Sequence, residues 1–203
     1  GMSTGVISTS SITHATPACF FAHVPSRRMQ DEIARQLMNS KVDFFAGGGK
    51  RFFADRKDGE NLIEGLKLKG FEVDTTSLAR KAGPINNKYA YLLGRDYMPK
   101  MENGRGDFLP KATNLALDYL KQAPKGFFLM VEGSQIDWGG HANNADYIIT
   151  EFQEFNTLIG KVLDWAEEDG ETLVVVTADH ETGGFSILSQ DPDNKKLITN
   201  FST

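Results

Sequence analysis

The stretch that decides the fold is Phe127-Phe128-Leu129-Met130-Val131-Glu132-Gly133-Ser134-Gln135-Ile136-Asp137-Trp138-Gly139-Gly140-His141. Five apolar residues in a row read as a strand covered on both faces, and the run stops abruptly at a carboxylate, a glycine and a polar turn. A second run, Leu173-Val174-Val175-Val176, ends in the same manner in Thr177-Ala178-Asp179-His180-Glu181-Thr182-Gly183-Gly184. Both runs read as central strands. Working outward, strand-length apolar or β-branched runs recur at 5–12, 42–46, 89–93, 127–132 and 172–177, with helical patterns between most of them. That alternation predicts an α/β fold with a mainly parallel central sheet flanked by helices.

Three helices can be read from spacing. Ile148, Phe152, Phe155, Ile159, Val162 and Ala166 recur at steps of four and three, and Gly170 supplies a stop. Another helix starts near Asp107 as N-cap and runs through Ala112, Leu115 and Tyr119 until Ala123-Pro124 ends it. A third follows Ser26, with Met29, Ile33 and Leu37 on one face. Residues 55–105 read as a variable peripheral region, and no domain boundary interrupts residues 1–203.

Composition narrows the function classes. Of 203 residues, 40% are hydrophobic and no stretch has the eighteen or so consecutive apolar residues of a membrane span. The net charge is −5 with no basic run, which argues against nucleic-acid binding. One cysteine, Cys19, forms no internal disulfide framework. The first residues pass straight into a β-rich run without a targeting pattern, and both ends read as cut.

In open parallel sheets, ligands bind beyond the carboxyl ends of the strands, so chemistry is sought there. Asp137, His141, Asp179 and His180 are side chains of the type that zinc prefers, gathered in two short segments. Asp137 and His141 are four apart, one helical turn, which aims both at one point; a His–Asp dyad is the competing geometry. Singly, Glu132 reads equally as a turn cap and Asp137 as an N-cap. After the first strand, Thr13-His14-Ala15-Thr16-Pro17-Ala18 places a hydroxyl at a helix start, where capping and metal ligation are both open. Arg27 offers a rigid fork suited to phosphate oxygens, against a default of solvation. Gly47-Gly48-Gly49-Lys50 has the wrong spacing for a phosphate loop and reads as a tight strand exit. His23 and Cys19, in an apolar stretch, read as packed residues.

With these residues assembled, the sequence resembles the alkaline phosphatases from Thr4 to about Ser186. The likeness is carried by Thr13-His14-Ala15-Thr16-Pro17-Ala18 with Arg27, by Val131-Glu132-Gly133 through Asp137 and His141, and by Thr177 through Gly184. The resemblance implies an alkaline-phosphatase-like fold, incomplete here, and hydrolysis of small-molecule phosphate monoesters through a phosphoserine intermediate, using two zinc ions and one magnesium. It implies that Asp137 and His141 hold one zinc, Asp179 and His180 the other, Glu132 and Thr16 the magnesium, and that Arg27 grips the substrate phosphate. It places His14 and Trp138 beside the metals, and implies a homodimer in the periplasm or outside the cell. Against the family pattern, the nucleophilic serine, an aspartate upstream of the Thr13 motif and a histidine downstream of His180 are missing. The chain alone is therefore expected to be inactive. The alternatives are a phosphodiesterase, sulfatase or phosphosugar mutase of the same superfamily, or a non-catalytic fragment.

Overall fold

The computed structural model describes residues 1–79 and 81–202, and the chain divides into two compact units, Gly1–Pro99 with Arg105–Glu132, and Lys100–Gly104 with Gly133–Thr203.

In chain order the first unit comprises β1 (Ser3–Ser11), α1 (Ala15–Ala18), α2 (Gln30–Asn39), β2 (Phe44–Gly48), α3 (Arg51–Ala54), α4 (Leu62–Leu68), β3 (Phe71–Asp74), β4 (Lys88–Leu92), α5 (Phe108–Leu120) and β5 (Phe127–Glu132). The strands form one parallel sheet in the order β3-β4-β2-β1-β5. β2 is buried at every position, and its two consecutive phenylalanines serve opposite faces. The Phe45 ring lies 6.2 Å from Phe53 and 5.5 Å from Phe71, in a core shared with Leu37 of α2 and Leu66 of α4. Phe44 turns the other way, 6.0 Å from Tyr119 of α5, whose ring meets Tyr89 edge-on at 5.1 Å. Each such fully buried ring or leucine contributes about 1.5–3 kcal/mol. Gly49, at φ +94°, turns the chain out of β2 in a conformation that disfavours any side chain, which makes Gly47–Gly49 the tight strand exit expected of it.

The second unit holds a single 3₁₀ turn (Met101–Asn103), α6 (Gln135–His141), α7 (Ala145–Asp169) and an antiparallel hairpin of β6 (Ser186–Gln190) and β7 (Leu197–Asn200). α7 is capped at Asn144, whose side chain accepts from the Tyr147 N–H at 3.0 Å, and it stops at Gly170 with φ +72°. No helix among the described residues is long and apolar enough to cross a membrane.

Several expectations need correction. The run 172–177 forms no strand, and Leu173, Val175 and Val176 are 86%, 75% and 54% exposed. An apolar run makes a strand only where a neighbour offers a hydrogen-bond ladder, and none pairs with it among the described residues. β5 is not central either: it is the edge strand of the five, with Phe128 half-exposed. Central positions go to β2 and to β1, which is wholly buried from Gly5 to Ser11 despite its run of hydroxyls. On α7 the buried face passes through Tyr147, Ile148, Glu151, Glu154 and Leu158, leaving Phe152 exposed. The face is rotated by a polar contact, since Glu151 Oε1 accepts the Met101 N–H at 3.0 Å. His23 and Cys19 are exposed rather than packed, because helix α1 ends at Ala18 and the chain leaves the core there. The region 55–105 contains, besides the expected strand β4, β3 and α4, which short length and charge obscured.

Candidate metal centre

The zinc-type residues lie in the second unit. Asp137 and His141 occupy successive turns of α6, and Asp179 and His180 lie on the loop that leads to β6. Asp137 Oδ1 is the point of convergence, 3.6 Å from His141 Nε2 and 3.9 Å from His180 Nε2. Asp179 Oδ2 is 3.4 Å from the same His180 nitrogen. The side chains are open to solvent, His141 at 72% and Asp179 at 74%. The one-turn spacing sets Asp137 beside His141 on α6, and the loop before β6, which follows no strand, sets His180 between Asp137 and Asp179.

The tautomer of His180 follows from its neighbours. Its Nδ1 lies 2.8 Å from the Glu181 carbonyl oxygen, which can only accept, so Nδ1 carries the hydrogen. Thr182 Oγ1 donates its own hydrogen to Asp137 Oδ1 at 2.6 Å and stands 3.0 Å from Nδ1, as a second acceptor. Nε2 faces Asp137 and Asp179: when the ring is protonated it donates to those carboxylates, and in the neutral Nδ1–H tautomer it keeps the lone pair that metal ligation needs. The bond to Glu181 and the charge of Asp179, then that of Asp137, raise the His180 pKa. Among the described residues no three or more His, Cys, Asp or Glu side chains are grouped so that they could hold a metal ion. The donors fit zinc in kind and tautomer, and they supply two per ion where a catalytic zinc takes three.

The magnesium-type residues lie in the first unit. Thr16 is on α1, where His14 is the N-cap residue, and Glu132 ends β5. Parallel pairing sets Ser8 of β1 opposite Glu132, and the Ser8 hydroxyl donates to Glu132 Oε2 at 2.7 Å. Ser8 Oγ also accepts the Ser10 N–H at 3.1 Å and lies 2.7 Å from Ser10 Oγ. A carboxylate only accepts, so the one Ser8 hydrogen goes to it, which fixes the Glu132 side chain. Arg27 is exposed, on the segment between α1 and α2, and Trp138 is on α6 beside Asp137.

Sequence reasoning missed Thr182 and Ser8. The signal for Ser8 was present: four consecutive hydroxyl residues, Ser8 to Ser11, in a strand must find partners once buried. Thr182 has no comparable signal, since only the folded loop brings it back to Asp137.

A parallel α/β sheet in one unit and grouped histidine and aspartate donors in the other define the class, and the comparisons give the family. The sequence matches the alkaline phosphatase family over residues 1–200, and the chain belongs to that family. It is 39% identical over 201 residues to alkaline phosphatase 4 of Bacillus subtilis, covering 96% of this chain and 43% of the relative. Among solved structures, the alkaline phosphatase of the Antarctic bacterium TAB5 superposes with a TM-score of 0.91 at 46% identity, over 100% of this chain and 61% of that one. A variant of the TAB5 enzyme, described with Mg bound in its M3 site, superposes at 0.90 with 45% identity, again over 100% of this chain and 61% of that one. The chain thus spans less than half the length of the Bacillus relative.

Proposed function

We propose that this chain supplies part of the active centre of an alkaline phosphatase that hydrolyses phosphate monoesters, with residues 1–203 forming one partial catalytic domain. The observation that carries the reading is the approach of His141 and His180 to the Asp137 carboxylate, with Asp179 on the far side of the same His180 nitrogen. In this reading Asp137 and His141 hold one zinc, and Asp179 and His180 the other. Glu132 and Thr16 hold magnesium. Bound there, the two zinc ions would stabilise attacking and leaving oxygens and lower the pKa of bound water.

The chain's own residues do the rest. Thr182 keeps Asp137 aimed and His180 in its Nδ1–H tautomer, and Ser8 keeps Glu132 aimed. Arg27, rigid and always charged, grips the phosphate and neutralises equatorial charge as the ester bond breaks. His14 and Trp138, each next to a ligand segment, adjust magnesium affinity and phosphate release. The nucleophilic serine comes from outside these 203 residues, so the chain alone does not turn over. The complete enzyme works as a homodimer outside the cytoplasm, in the periplasm or extracellularly.

The test is Arg27→Ala in the longer protein. Inhibition by inorganic phosphate should weaken at least tenfold, and unchanged inhibition would contradict the assignment.

A further inference from the structure

The first unit has a cavity of about 410 Å³ that this chemistry does not use. It opens at the carboxyl edge of the sheet. Arg28 and Gln30 lie where the chain passes from β1 into α2, Arg51 opens α3 just after β2, and Arg95 follows β4. That edge is where open parallel sheets bind ligands. The volume falls within the roughly 300–1,000 Å³ of small-molecule sites.

The lining is dominated by donors. Arg28, Arg51, Lys57 and Arg95 outnumber the carboxylates Asp31 and Asp55, in a chain whose net charge is −5. Two of the guanidinium groups are braced. Arg51 Nη1 lies 2.8 Å from Asp96 Oδ1, and its guanidinium stands 4.6 Å above the Phe52 ring. Arg95 Nη2 lies 3.3 Å from Asp55 Oδ2, and its Nη1 lies 3.5 Å from Asp96 Oδ2. Arg28 and Lys57 are exposed and form no ion pair among the described residues. Gln30 is held from inside the fold: its Oε1 accepts from the buried hydroxyls of Ser11 at 3.0 Å and Thr13 at 2.9 Å. What Gln30 can then offer the cavity is its pair of amide N–H donors.

We infer that this cavity binds a phosphoryl group that does not react, the second phosphate of a condensed or multiply phosphorylated ligand. Guanidinium forks match phosphate oxygens in pairs, and forks already braced by aspartates lose little freedom on binding. Phe52 and Met29 supply an apolar wall for the body of such a ligand. That the ligand is a substrate rests on the phosphomonoesterase reading, because Arg28 directly follows the phosphate-gripping Arg27; affinity for condensed phosphate does not rest on it.

The experiment is calorimetric titration of the 203-residue chain with tripolyphosphate in the presence of EDTA, with orthophosphate titrated beside it. The double variant Arg28→Ser, Lys57→Ser should lose at least tenfold in tripolyphosphate affinity, and Gln30→Glu should lose severalfold. Lys125→Ser, an exposed cation outside the cavity, should leave tripolyphosphate binding unchanged, and Arg27→Ala, which removes only the grip on the other phosphate, should cost less than the double variant. Equal loss in Lys125→Ser would reduce the effect to net charge and overturn the site. So would an unchanged double variant, or a greater loss through Arg27→Ala than through the double variant, since each would place the anion elsewhere. If instead the double variant behaves as expected while Arg27→Ala leaves orthophosphate binding unaltered, the cavity stands and the phosphomonoesterase reading fails.

Discussion

β1 and the run 172–177 exchange the places that hydrophobicity would give them. From Ser8 to Ser11, β1 is a row of hydroxyls, yet it is almost entirely buried. Leu173 to Val176 is wholly apolar, yet Leu173 and Val175 are 86% and 75% exposed. The difference lies in partners. β1 has a strand on each side and a carboxylate, a glutamine and neighbouring hydroxyls to take up its side-chain hydrogen bonds. The run 172–177 has no ladder among the described residues, so Leu173, Val175 and Val176 stay in solvent while Thr172 and Val174 are only half-buried. Satisfied polarity is cheaper to bury than an unpaired backbone.

The comparison can be broken most sharply in the core around β1. Phe45→Ala empties the contact with Phe53 and Phe71 and should cost about 3–5 kcal/mol in denaturant unfolding. A cost under 1 kcal/mol would mean that this core is not formed as described. Next in size is Ser8→Ala, which leaves Glu132 Oε2 without its buried donor. It should cost about 1–3 kcal/mol and weaken magnesium binding by the same chain, measured by calorimetry. Asn144→Ala, removing the cap of α7, should cost about 1 kcal/mol and probes the second unit separately. The smallest effect is expected from Val175→Ser, within about 0.5 kcal/mol of the parent chain, because that side chain is already in solvent. A loss of about 2 kcal/mol there would show that the run is packed after all.

Much of the architecture was legible because its signals are periodic. The runs at 5–12, 42–46, 89–93 and 127–132 correspond to β1, β2, β4 and β5, and Gly170 ends α7 as its position suggested. What failed was the choice of centre and edge, since a run apolar on both faces indicates capacity for burial and says nothing of which neighbours are present. β3 alternates Phe71 and Val73 with Glu72 and Asp74 over only four residues, too short a signal to read, and owes its place to pairing with β4. At the site, Asp137 and His141 were readable from helical spacing, and Asp179-His180 from their place after an apolar run. Thr182 was not readable, because its contact with Asp137 spans forty-five residues and depends on how the loop turns. The roles proposed for Glu132, Thr16 and Arg27 rest on family likeness, not on spacing.

The most direct test of the account is zinc titration of the 203-residue chain at neutral pH against Asp137→Ala, Thr182→Val and Glu132→Ala. The account predicts that zinc affinity falls at least tenfold in Asp137→Ala, falls by a smaller factor in Thr182→Val, and is unchanged in Glu132→Ala. Zinc binding indifferent to Asp137→Ala would contradict the claim that this carboxylate is the centre of the site.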